Sequence, residues 1–236
     1  MTLVLLPGLD GTDVFLRPLL RALPSWVTPI VVQYPADGGN DYADLFTLVS
    51  EAVRGAGDFW VLGWSFSGPL ALMLAAAEPR RTRGVILSAS FVRPPHPILA
   101  WFRFAAVDGV ITMVRIARRI PLFLSTNGAG DARRDKAETW ARVSARTLAA
   151  RARAILRVDA RDLLRRCDAP IVYLAASRDA VVPRRNADEI VRQAPSARVM
   201  VIEGPHLAMY TNPDAAADAI CRVLRATEDR SSPSCS

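Results

Sequence analysis

The chain has 236 residues, 51% of them hydrophobic, which is enough to bury a large core and too apolar for a disordered polymer. No stretch approaches the roughly 18 uncharged apolar residues of a membrane span, and the opening Met-Thr-Leu-Val-Leu-Leu-Pro has no basic leader, so the expected address is cytoplasmic. The net charge of +7 is concentrated: residues 97–168 hold fifteen Arg or Lys against seven Asp or Glu, and the remainder holds fifteen against sixteen.

Taken in order, residues 3–6 read as a buried strand, Pro7 to Thr12 as a glycine turn, and residues 14–23 as a short helix. Residues 29–34 are the next expected strand. Residues 41–54 form a helix with Leu45, Leu48, Val49 and Val53 on one side. A strand over 59–62, a helix over 66–78 and a strand over 85–90 follow. Strands alternating with helices predict crossover units and a parallel sheet.

That alternation stops at Pro97, beyond which apolar positions have helical spacing over 98–120 and, after a Ser/Gly-rich loop, over 135–166. Strand patterns return at 171–175 and 198–202, with helices over 184–193 and 213–224. The predicted class is α/β, a mostly parallel central sheet with helices on both faces. Residues 1–96 and 169–228 form its core, 97–168 an inserted helical lid, and 229–236 a disordered tail.

The chemistry starts at Gly63-Trp64-Ser65-Phe66-Ser67-Gly68, between an apolar strand and an Ala/Leu-rich helix. A serine among small residues at a strand-to-helix turn is a nucleophile elbow; Ser67 stands where a second glycine is usual. Pro69 falls in the first helical turn, where no intrahelical N–H is lost. A hydroxyl needs a base near pKa 6.5, and the chain has two histidines, His96 and His206. His206 lies just past the last strand, at the carboxyl end where functional groups of open parallel sheets gather. Asp179, on the loop after the preceding strand, is the candidate acid that orients it. For the oxyanion, the N–H of Phe66 is one donor, and the loop after the first strand supplies another from Leu9, with Asp10 the fallback.

These motifs resemble the α/β-hydrolase superfamily over nearly the whole core, and Ser65, Asp179 and His206 match its nucleophile, acid and base positions in the same order. The resemblance implies an eight-stranded fold shortened at its start. Pro7-Gly8 departs from the His-Gly of many members, which leaves the second oxyanion donor open between Leu9 and Asp10. Gly-Trp-Ser at the elbow and an arginine-bearing cap further resemble small esterases similar to the pimeloyl-carrier-protein methyl esterase.

Trp64, Phe91, Val181, Val182 and Leu207 flank the proposed triad and, with Phe66 and the lid residues Trp101, Phe102 and Phe104, suggest an apolar acyl pocket. If residues 140–158 are one helix, Arg142, Arg146, Arg153 and Arg157 share a narrow sector, a basic stripe suited to an acidic acyl carrier protein or a phosphate-bearing carrier. An ester hydrolase of apolar acyl substrates is therefore expected, and a thioesterase or acyltransferase would use the same residues. A non-catalytic basic module binding nucleic acid or anionic membrane is the competing class, against which stands the absence of any nucleic-acid motif. The sequence has no dinucleotide fingerprint, phosphate loop or His/Cys cluster, so no nucleotide or metal is expected. Cys167, Cys221 and Cys235 are too far apart for a disulfide framework or zinc knuckle.

Overall fold

The computed structural model describes residues 1–38, 40–96 and 129–231. The expected helix over 98–120 and the residues Trp101, Phe102 and Phe104 lie outside the described residues, as do Ser232 to Ser236. Six strands form one sheet: β1 (Thr2–Leu6), β2 (Thr28–Val31), β3 (Phe59–Trp64), β4 (Thr82–Ser88), β5 (Ile171–Ala176) and β6 (Arg198–Ile202). Their order is β2-β1-β3-β4-β5-β6, and every neighbouring pair is parallel. Parallel ladders require covered faces on both sides, which explains why β1 and β3 are apolar at nearly every position.

Side chains alternate across the pleat and divide the core in two. Val4, Leu6, Val61, Val85 and Leu87 face α2 (Tyr42–Ala52) and α3 (Gly68–Ala77), packing with Leu45, Val49, Leu70 and Leu74. Leu3, Leu5, Leu62 and Ile86 face the other way, toward α1 (Arg17–Ala22) and the long C-terminal helix over 213–231, meeting Leu19, Ile220 and Leu224. Leu62 is fully buried, so truncating it to alanine would cost about 2–5 kcal/mol. Helix α2 begins where the sequence indicates: Asp41 caps it by accepting from the N–H groups of Ala43 and Asp44, and Asp44 reaches back to the Asp41 N–H. Pro69 sits in the first turn of α3.

Four differences from expectation have local causes. The strand expected over 29–34 is β2, ending at Val31, because the Tyr34 N–H is drawn to the Gly11 carbonyl (2.8 Å). A short 3-10 turn, Ser65–Ser67, precedes α3. The span 140–158 is not one helix: α4 (Ala129–Arg142) ends, and α5 (Ala145–Arg157) restarts from Ser144, whose Oγ accepts from the Thr147 N–H at 3.0 Å. The tail expected from 229 is helical as far as Ser231, where the last helix ends. A short α6 (Arg161–Arg165) leads into β5; α7 (Arg185–Gln193) precedes β6, and α8 (Ala208–Thr211) and α9 (Pro213–Ser231) follow it. Among the described residues no helix is long and apolar enough to cross a membrane.

Candidate active site

The end of β3 delivers Ser65 into left-handed backbone space, with φ of +50°. A serine there is strained and is held only if its surroundings dictate it. Three things dictate it here. Gly63 lets the chain fold back, since a methyl at that position would collide with the Ser67 carbonyl. The Ser65 carbonyl accepts from Ser90 Oγ at 2.6 Å, and the Ser90 carbonyl in turn accepts from Tyr173 Oη at 2.9 Å. On the other side Ser67, fully buried, donates from Oγ to the Pro7 carbonyl and accepts from Tyr34 Oη at 2.6 Å. Ser67 thus spends its hydroxyl tying the elbow to the loop after β1, a link that a glycine there would lack.

His206 and Asp179 come from the loops after β6 and β5. The structure brings His206 Nε2 to 2.9 Å from Ser65 Oγ and Nδ1 to 2.9 Å from Asp179 Oδ2. An ionised carboxylate only accepts, so the Nδ1 proton points at Asp179 and Nε2 is left to receive the Ser65 proton. The other Asp179 oxygen accepts from the N–H groups of Val181 and Val182, both at 2.8 Å, which fixes the carboxylate's rotation. Both side chains are nearly sealed from water, at 9% and 6% exposure, so their electrostatic coupling is little screened. His96 is occupied elsewhere: Nε2 lies 2.9 Å from the Val181 carbonyl, and Nδ1 accepts from Arg185 at 3.1 Å.

The loop after β1 turns through a bond from the Gly11 N–H to the Gly8 carbonyl at 3.0 Å. The carboxyl of Asp10 accepts from the Thr12 hydroxyl and the Thr12 N–H, and loss of hydration still raises its pKa above the ordinary 3.8. Among the described residues neither the Leu9 N–H nor the Asp10 N–H bonds to another residue, and the Leu9 N–H, which shares its peptide with the inward-turned Gly8 carbonyl, points out of the turn. Phe66, whose N–H follows the elbow serine, is fully buried. Its ring stacks on Tyr42 at 4.8 Å and its carbonyl accepts from Tyr42 Oη at 3.0 Å. A hydroxyl, an imidazole and a carboxylate in line, beside backbone N–H groups, can deprotonate a nucleophile and hold a negative oxygen.

The Alpha/beta hydrolase family model matches residues 3–219. The chain belongs to this family. Among curated relatives, the hydrolase is 26% identical over 199 residues to a pimeloyl-[acyl-carrier protein] methyl ester esterase of Neisseria meningitidis serogroup C, covering 78% of each chain. It is 28% identical over 245 residues to polyketide synthase ThaQ of Burkholderia thailandensis, spanning 95% of this chain and 12% of that one. The esterase EaEST of Exiguobacterium antarcticum has the same fold, with a TM-score of 0.82 at 15% identity over 95% of this chain and 92% of that one.

The expected pocket residues divide. Trp64, Phe91 and Val182 are buried at 2–3% exposure, and Trp64 packs into the core on the α9 side; Val181 and Leu207 keep partly open surface. The expected arginine stripe is broken with its helix. Arg142 belongs to α4 and is bound to Glu138 and, at 3.1 Å, to Asp13, so it is committed within the chain. Arg146 and Arg157 are exposed on α5, and Arg153 and Arg157 border a cavity of about 460 Å3 with Asp41, Tyr42 and Asp44 opposite. Among the described residues no group of three His, Cys, Asp or Glu side chains could hold a metal.

Sequence reasoning passed over Tyr34, Tyr42, Ser90, Asn40 and Arg151. The first three brace the elbow through hydroxyls reaching across elements, for which no sequence spacing exists. Asn40 and Arg151 meet at 2.9 Å from opposite ends of 111 residues.

Proposed function

We propose that this hydrolase cleaves carboxylic esters of apolar acyl groups through an acyl-enzyme on Ser65. The observation that carries the reading is the imidazole of His206 bridging Ser65 Oγ and Asp179 at 2.9 Å on each side. Ser65 Oγ attacks the ester carbonyl as its proton passes to His206 Nε2, and Asp179 steadies the imidazolium. The N–H groups of Phe66 and Leu9 receive the oxyanion; one such donor is worth about 2.7–4 kcal/mol. Collapse of the intermediate breaks the bond to the alcohol oxygen, which takes the proton from His206. Water, deprotonated by the same imidazole, then attacks the acyl-enzyme and releases the acid.

The described part of the inserted segment, residues 129–168, serves as a cap in this reading, with Val181 and Leu207 contributing to the acyl-binding surface. The likeness to an acyl-carrier-protein ester esterase supports a carrier-linked substrate, met by Arg146, Arg153 and Arg157 of α5 rather than by Arg142. Cys167 and Cys221 are free thiols, in keeping with a cytoplasmic address. Thioester cleavage is the second reading, favoured by the match of nearly the whole chain to a segment of a polyketide synthase. A chain-length panel of p-nitrophenyl esters and matched acyl thioesters, free and carrier-linked, tests both: faster turnover of oxygen esters is the expected result, and turnover of thioesters alone would replace the first reading by the second.

A further inference from the structure

Arg151, on α5, is the only arginine among the described residues to be completely buried, with 0% exposure. A buried charge is costly unless its donors are satisfied, and four of the five N–H donors here are bonded, none of them to a carboxylate. Nη1 donates to the carbonyls of Leu9 (3.0 Å) and Asp10 (2.6 Å), Nη2 to the carbonyl of Pro35 (2.8 Å), and Nε to Asn40 Oδ1 (2.9 Å). Its guanidinium carbon lies 5.4 Å from the centre of the Tyr34 ring, the residue whose hydroxyl braces the elbow through Ser67. Burial lowers the guanidinium's pKa to about 10, with Asp10 pulling the other way, so it is charged at neutral pH.

We infer that Arg151 is the positioning residue of the oxyanion loop, fixing from the helical insertion the direction of the Leu9 N–H. This role rests on the serine hydrolase reading above. A trans peptide points its N–H opposite to its carbonyl, so whatever holds a carbonyl aims the N–H beyond it. The Gly8 carbonyl is held by the Gly11 N–H, which turns the Leu9 N–H outward from the turn. The Asp10 carbonyl shares its peptide with the Gly11 N–H, so Arg151 Nη1, by holding that carbonyl, aims the Gly11 N–H at the Gly8 carbonyl and through it sets the Leu9 N–H, while its second bond, to the Leu9 carbonyl, holds the middle of the turn. Charge-assisted bonds of this kind are about twice as strong as neutral ones. Gly11, at φ of +72°, completes the fit: a methyl there would lie 2.5 Å from Arg151 Nη1. The oxyanion site is thus shaped from outside the sheet, by a side chain of the inserted segment.

The test compares native protein with Arg151→Met and Arg151→Lys. The readouts are kcat and KM on p-nitrophenyl butyrate per site titrated with a fluorophosphonate, the Ki of a trifluoromethyl ketone that mimics the tetrahedral intermediate, and the pH profile of kcat/KM. Arg151→Met should lower kcat by about 100-fold and raise Ki by a similar factor, as loss of an oxyanion donor does. KM and the shape of the pH profile, which follow binding and His206, should stay unchanged. Arg151→Lys, which keeps a charged donor for the turn but loses the bonds from Nε to Asn40 and from Nη2 to Pro35, should recover about tenfold of the loss. Should Arg151→Met fail to fold, Asn40→Ala frees one edge of the guanidinium and should shift kcat and Ki together, with KM unchanged. Per-site kcat and Ki within about twofold of native in the folded variant would overturn the role of Arg151 alone. A native protein that neither hydrolyses the ester nor takes the fluorophosphonate would overturn the hydrolase reading with it.

Discussion

Asp179 Oδ2 lies 2.9 Å from His206 Nδ1, while its second oxygen is held by two backbone N–H groups. The carboxylate therefore has one orientation, and its acceptor character sets the imidazole tautomer. In Asp179→Asn the amide can present its N–H to the ring, which moves the ring proton to Nε2 and blocks receipt of the Ser65 proton. We expect kcat to fall by about 10⁴ with the fold retained, measured as p-nitrophenyl ester turnover alongside a thermal melt. A fall of less than tenfold would show that the carboxylate does not govern the tautomer.

The Ser67 hydroxyl donates to Pro7 and accepts from Tyr34, all inside the core. Ser67→Ala strands a buried carbonyl and a buried phenol at once. A loss of about 1–3 kcal/mol in urea-induced unfolding is expected. Restoring the usual motif with Ser67→Gly should be no better, because the same two partners remain unmet.

Asp10 gives a pH dependence whose sign follows from its raised pKa. The folded state holds the Asp10 proton more tightly than the unfolded chain, so Asp10 makes stability fall as pH rises from 3.8 through its folded value. Asp10→Asn removes that contribution. Its melting temperature should match native at about pH 3 and exceed native at about pH 7. A difference that shrinks as pH rises would contradict the assignment.

Much of this was legible in the sequence because it depends on local rules. Ser65 could be found from Gly63 and the apolar run before it, and the helix at Asp41 from its cap. His206 and Asp179 followed from their places after successive strands. Arg151 was hidden for a physical reason: its acceptors at Leu9, Asp10 and Pro35 are backbone carbonyls, which every residue has. In a segment with fifteen basic residues it looked like its solvated neighbours. The break before Ser144 was missed because its cap is completed by Thr147 rather than by the Glu or Gln of a capping box. The break takes Arg142 out of the sector that a single helix over 140–158 would give it with Arg146, Arg153 and Arg157.

The proposed carrier-linked substrate puts its recognition on α5. Arg146→Glu combined with Arg157→Glu should lower the ratio of kcat/KM for carrier-linked ester to that for free ester by at least about tenfold, and flatten its dependence on salt. An unchanged ratio across a salt series would remove the carrier from the account.

The most direct measurement is intact-mass detection of a fluorophosphonate adduct, mapped by peptide sequencing. The account predicts one adduct, on Ser65, absent in Ser65→Ala and formed at least about 100-fold more slowly in His206→Ala. No adduct on the folded native protein, or an adduct on another residue that survives Ser65→Ala, would contradict it.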